Sequence, residues 1–275
     1  MLATLQPGFD HLVRSALLGV QFRDAVDGRV VGEGLQVELR DTWQPRRHLM
    51  LTANRSGTFA LHAFAGMRGF GDDALDSPPE PGRFRLTARD TLGRYLPLTL
   101  LPEVPSPGLW SPAGAWTSPP GMAPHVPLFS ATTRPLPVAM ASLRAELRRA
   151  SQPQLPAPWA RLELWLGSTR LAEGQADEAG RALLVFPLPR PREATLGTSP
   201  AGQPAAFEWT VTLRGFWNTA HRADTVPDFD AVMSQPEAAL LQAVAPPSPL
   251  PALLLRAGQT LQAARPPSSF VYVAE

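Results

Sequence analysis

Proline limits this chain more than any other feature: it accounts for 32 of 275 residues and is spread along the whole length. Proline has no amide donor, and its ring disrupts a helix interior or a central strand. Such punctuation predicts short strands with rigid connections and excludes a helical bundle. Between the prolines, residues 35–39, 84–88, 160–166 and 207–213 alternate apolar and polar side chains. Period 2 is the signature of a half-buried strand. Shorter runs at 20–22, 48–51, 59–64, 95–100, 139–147, 169–173, 182–186 and 270–273 read as further strands. Residues 253–256 and 260–261 read as a hairpin about Gly258-Gln259. Two helices are expected. One covers 10–18, between a cap at Asp10 and a stop at Gly19. The other covers 230–244, with Ala238, Leu240, Leu241 and Val244 as its apolar residues.

The two halves echo one another. Asn54-x-x-Gly57 is followed by Phe59 and Leu61, and Asp177-x-x-Gly180 by Ala182 and Leu183. In such a turn the Asn or Asp side chain bonds the local backbone and glycine supplies a positive φ. Asp27-Gly28 is a second hairpin signal. Between the halves, residues 102–127 hold eight prolines beside Trp110 and Trp116. This stretch reads as a connector that packs on a surface. The expected organisation is an N-terminal β-sandwich domain over 1–101, a Pro/Trp-rich connector over 102–127 and a C-terminal β-sandwich domain over 128–275.

Composition narrows the functions. The formal net charge is +1, so no global field draws the chain to nucleic acid. All 25 basic residues are arginine, and isoleucine is absent, as GC-rich coding would produce. Arginine's planar fork suits protein contacts. The absence of cysteine excludes disulfides, thiolate catalysis and Cys-ligated zinc. The five histidines fall at 11, 48, 62, 125 and 221, with no pair at the spacing of a local metal site. No basic start with an apolar run marks a signal peptide. No run approaches the roughly 18 apolar residues of a membrane span. A cytoplasmic protein without membrane insertion is expected.

Two resemblances follow. Phe22-Arg-Asp24 through Asp27-Gly28 to Val31, then Leu35–Leu39, then Asn54-Arg-Ser-Gly57-Thr-Phe59, resembles the transthyretin-like, carboxypeptidase-regulatory-like sandwich. It covers roughly 20–65, with Asn54 where that family carries Asp. More broadly, Phe84-Arg-Leu-Thr-Ala-Arg-Asp90-Thr-Leu-Gly93-Arg-Tyr95, Val126-Pro-Leu-Phe129 and Asp177-Glu-Ala-Gly180-Arg through Phe186-Pro resemble uncharacterised proteins encoded with phage-tail-like contractile injection systems. That resemblance implies a structural component of the particle, at the baseplate or the cap. The fold class expected is all-β, two transthyretin/Ig-like sandwich halves with short peripheral helices.

No set of residues announces catalysis. Gly66-x-x-Gly69-x-Gly71 lacks the Lys-Ser/Thr of a phosphate loop, and no Gly-x-Ser-x-Gly elbow occurs. Asp72-Asp73 reads as a solvated turn, and Asp228 and Asp230 as the acidic start of a helix. Glu163 and Glu208, on alternating strands and pointing away from their apolar neighbours, have the residue types of glycoside hydrolysis, but nothing in the sequence sets their separation, and a solvated strand face is the reading. Trp209 is in phase with Phe207 and Val211 and reads as core. Arg144, Arg148 and Arg149 form a small basic face near Glu146.

The resulting expectation is a non-enzymatic docking subunit with no catalytic residues, cofactor or metal. Its partners are other protein subunits. Trp43, Arg46, Arg47, Trp110, Trp116 and Trp217 are the candidate partner-docking residues. A carbohydrate-binding or adhesive module using loop tryptophans is the alternative, with a hydrolase built from a dispersed site as the third reading.

Overall fold

The computed structural model describes residues 16–44, 46–64, 82–106, 108–113, 121–190 and 207–275. Among these residues the fold is all-β apart from one short helix. The first half contains β1 (Leu18–Asp24), β2 (Leu35–Asp41), β3 (His48–Leu51), β4 (Thr58–Leu61), β5 (Gly82–Asp90), β6 (Leu98–Leu100), β7 (Glu103–Val104) and β8 (Val126–Leu128). One sheet runs β3-β2-β5-β6, with β7 also on β5, and the other runs β4-β1-β8. Their inner faces enclose a core that includes Phe22, Leu39, Phe59, Leu86 and Leu128. In β2 and β5 the alternating apolar positions are the buried ones, so period 2 found the core-facing side.

The second half contains β9 (Met140–Arg149), β10 (Arg161–Leu166), β11 (Thr169–Gln175), β12 (Arg181–Pro187), β13 (Glu208–Phe216), α1 (Phe229–Met233), β14 (Glu237–Ala238), β15 (Leu240–Val244), β16 (Pro247–Pro249), β17 (Leu253–Arg256), β18 (Leu261–Gln262) and β19 (Val271–Val273). Here β11-β10-β13-β14, with β17 on β13, faces β12-β9-β19-β15-β16, with β18 on β9. Leu143, Leu162, Leu164, Leu184, Phe186, Val211 and Leu255 fill the space between them. Prolines sit where a missing donor does least harm. Pro127 lies in β8 and Pro247 and Pro249 in β16, all edge strands, and Pro187 ends β12.

The Asx-Gly turns fold as their residues dictate. The Asn54 Oδ1 accepts the amides of Ser56 at 2.9 Å and Thr58 at 3.0 Å. The Asp177 Oδ1 accepts those of Ala179 at 2.9 Å and Arg181 at 2.8 Å. Gly57 and Gly180 adopt φ of 75° and 76°. The Asp27-Gly28 turn closes with the Gly28 amide donating to the Asp24 carbonyl at 2.9 Å and with an Arg23–Val30 bridge, but starts no β1–β2 ladder, because β1 pairs with β4 and β8.

Several expectations need correction. The helix over 230–244 is confined to Phe229–Met233. Pro236 cuts the run, Glu237 and Ala238 pair with β13, and Leu240–Val244 becomes β15. The segments about Gly258 do not pair with each other: β17 joins β13 and β18 joins β9, in opposite sheets. Most of the helix expected over 10–18 lies outside the described residues, and its last residue, Leu18, opens β1. Nor is 102–127 a separate connector where it is described. β7 pairs with β5, β8 pairs with β1, and the Trp110 amide donates to the Gly19 carbonyl at 2.7 Å. The first core therefore reaches Ala131. It also takes in Phe229 and Met233 of α1, and Phe229 stacks on Phe129 at 6.2 Å.

Candidate partner-docking hairpin

Of the six candidate docking residues, three meet on the β2–β3 hairpin. Asp41, the last residue of β2, builds its turn. The Asp41 Oδ1 accepts the amides of Trp43 at 2.8 Å and Gln44 at 3.2 Å, and the Arg47 amide donates to the Gln44 carbonyl at 2.8 Å. The Thr42 hydroxyl ties the turn to the Arg83 carbonyl at 2.8 Å. This frame holds the Trp43 ring out in solvent, 86% exposed, with Arg46 and Arg47 exposed beside it. Leu49 and Met50 of β3 are 40% and 52% exposed. Exposed apolar side chains about a held turn, with arginines beside them, are residue types of a protein-contact surface.

The other three candidates are not part of that surface. Trp110 is half-buried and packs on the first core. Trp116 lies outside the described residues. Trp217 is a correction: it is buried in the second core, donates its indole N–H to the Pro158 carbonyl at 3.1 Å, and lies under the Arg149 guanidinium at 5.3 Å. A ring so enclosed meets no partner. The strand end it follows gave no warning, since Phe216-Trp217-Asn218 looks like the start of a loop.

Several of the titratable groups singled out in the sequence bond within the fold. Glu163 accepts from the guanidinium of Arg161 at 2.7 Å, from Arg170 at 3.2 Å and from the Trp165 indole at 3.0 Å. Glu208 pairs with Arg256 at 2.8 Å. Glu146 pairs with Arg148, Arg149 bonds the Pro156 carbonyl and Arg144 the Thr132 carbonyl, so that basic face is knitted into the fold. His221 is buried, and its Nδ1 accepts from the Gln235 amide at 2.7 Å, a bond that needs a neutral imidazole there. Burial holds His221 below its ordinary pKa. Burial pushes the carboxyls of Asp228 and Asp230 upward, Asp230 further through the charge of Asp228. Trp209 packs partly against the second core, with Phe207 stacked on it at 6.5 Å. Asp72-Asp73 and Gly66–Gly71 lie outside the described residues. Among the described residues no three His, Asp or Glu gather as metal ligands, and no helix is long and apolar enough to cross a membrane.

One cluster escaped the sequence. Asp24, buried at the end of β1, receives both arms of Arg134, the hydroxyl of Tyr95 at 3.0 Å and the Val26 amide at 2.8 Å. Arg134 also reaches the Ser130 hydroxyl at 2.9 Å and lies over the Tyr95 ring. The Asp24-to-Gly28 turn flagged the aspartate, but nothing local pointed to its partners.

No family model matches this chain, and comparison with curated proteins finds no match. Among solved structures, the Bacillus anthracis TIE protein aligns with a TM-score of 0.23 and 9% identity, over 72% of this chain and 28% of that one. The chain thus spans less than a third of that protein's length.

Proposed function

We propose that this chain is a non-enzymatic structural or adaptor subunit that works by docking other proteins, in a phage-tail-like contractile injection particle at its baseplate or cap. The observation that carries the docking role is Trp43, held 86% exposed by the Asp41 turn beside Arg46, Arg47, Leu49 and Met50. An indole and an uncovered apolar strand are worth most when a partner removes them from water, and Trp and Arg are the residues that anchor such interfaces. The burial of Glu163 and His221 in internal hydrogen bonds supports a role without turnover. The choice of particle rests on the sequence resemblance described above.

The test is co-purification of the intact chain with sheath, tube or baseplate proteins from cells carrying the particle genes. Wild type is expected in the assembled particle, and Trp43→Ala is expected to be depleted from it while remaining folded. A chain that stays out of assembled particles removes this reading. Binding of wild type to glycans, lost in Trp43→Ala, would replace it with the carbohydrate-binding one.

A further inference from the structure

The open side of β3 shows what form of partner the hairpin takes. The amide of Asp41 donates to the Arg47 carbonyl, and β3 pairs with β2 through Arg40–His48, Leu39–Leu49, Glu38–Met50 and Val37–Leu51. Bonded and unbonded pairs alternate in an antiparallel ladder. Leu49 and Leu51 therefore spend their backbone groups on β2, while those of His48 and Met50 point away from it. On that side, among the described residues, β3 meets β4 only through the Ala53–Phe59 bridge. Beyond the bridge a cleft of about 410 Å³ opens between Leu49–Ala53 and Ala60–Ala63.

Leu49 adds a second observation. It lies opposite Leu39, which lies opposite Leu86, so all three belong to the core-facing side of the sheet. Leu39 and Leu86 are 0% exposed, whereas Leu49 is 40% exposed. An inner-face leucine is left uncovered beside a strand edge that no described residue pairs with. Charge supplies the third. Residues 42–64 hold Arg46, Arg47, Arg55, His48 and His62 and no carboxylate, a formal charge of +3 in a chain whose total is +1.

We propose that this edge accepts an extended, acid-flanked strand from a neighbouring protein subunit. The strand pairs with His48 and Met50, lays an apolar side chain over Leu49, and sets its carboxylates against the arginine rim. Main-chain bonds supply affinity and the alternating side chains supply selection. The proposal rests on the docking reading of the hairpin. A second copy of this chain fits poorly, because edge-to-edge pairing would set one +3 segment against another. A nucleic acid would leave the backbone donors of β3 and the face of Leu49 unmatched.

The test uses the full chain and a labelled nine-residue peptide of alternating glutamate and valine with capped ends, followed by fluorescence anisotropy. Two controls carry lysine for glutamate or a fully N-methylated backbone. Saturable binding of the glutamate peptide is expected, with each control weaker by about tenfold or more, as loss of one or two net hydrogen bonds or of the charge match implies. Met50→Pro removes a cleft-facing donor and leaves the β2 bonds in place, so it should weaken binding by about tenfold. Should that variant not fold, the N-methylated peptide still decides. Equal binding of either control, absence of binding, binding of oligothymidylate in place of the peptide, or a wild-type dimer would each overturn the proposal. If the peptide fails while Trp43→Ala still drops out of particles, only the strand is lost. If wild type is also absent from particles, the docking reading falls with it.

Discussion

Arg134 lays both arms of its guanidinium on the carboxylate of Asp24, at 3.0 and 2.5 Å, across 110 residues of chain. Both side chains are buried. Removing one partner strands the other charge in the core. Arg134→Ala should therefore cost about 3–5 kcal/mol, whereas the double change Asp24→Leu with Arg134→Met should cost much less, because a matched apolar pair needs no counter-charge. Urea titration of the three proteins checks the order.

Tyr95 donates to the same carboxylate, and its phenol is pushed up to about 12, first by burial and then by the charge of Asp24. The folded protein thus holds this proton more tightly than the unfolded chain, whose tyrosine ionises near 10.0. The resulting stabilisation is complete below about pH 10 and fades as pH climbs toward 12. Thermal midpoints between these limits should fall more steeply for wild type than for Tyr95→Phe.

His221 has the opposite dependence. Its folded pKa lies below the ordinary 6.5, so its contribution is present above about pH 6.5 and is lost as pH falls through the folded value. Between about pH 7 and 5, wild type should lose more thermal stability than His221→Gln. Asp228 and Asp230, with raised values, bind protons more tightly when folded and pull the other way at lower pH. A flat difference between the two proteins would show that the bond between Gln235 and His221 does not depend on a neutral ring.

Two tryptophans of equal promise in the sequence should part company on mutation. Trp217→Ala removes a buried ring from the second core and should destabilise by about 3–5 kcal/mol. Trp43→Ala touches nothing buried and should stay within about 0.5 kcal/mol of wild type. Denaturation midpoints separate the two.

Gly180 occupies φ 76°, and a Cβ there would meet the Leu147 carbonyl oxygen at 2.4 Å. Gly180→Ala should cost at least about 1–3 kcal/mol from backbone strain, before the clash is added. Gly121, with φ 81° and nothing within 4 Å, isolates the strain alone. Gly121→Ala should therefore be the milder change in the same titration.

Local rules located much of this fold. Asn54 and Asp177 bond the amides of their own turns, and β2, β5 and β13 bury the side that alternation marks. Such features depend on residues a few places apart. What was hidden depends on distance or on ambiguous periodicity. Leu240–Val244 is too short for 3.6 and 2 to separate, and its pairing with β19 decides for strand. Trp217 is buried because β14 and the Pro158 carbonyl close over the end of β13, which its neighbours in sequence do not foretell. Trp43, Arg46 and Arg47 were legible as a unit because they lie within five residues of one another in a loop, and the Asp41 turn displays them. The uncovered Leu49 was not, since alternation marks it for the core-facing side with Leu39 and Leu86.

Phe229 and Met233 complete the first core although they follow β13 in the chain. On the ribosome, the N-terminal sandwich must wait with a gap in its interior until roughly a hundred further residues have emerged. A fragment ending at residue 131 would keep that wound open and should aggregate. In the whole protein the late helix stoppers the first sandwich, which ties the integrity of that core to chain made long after it.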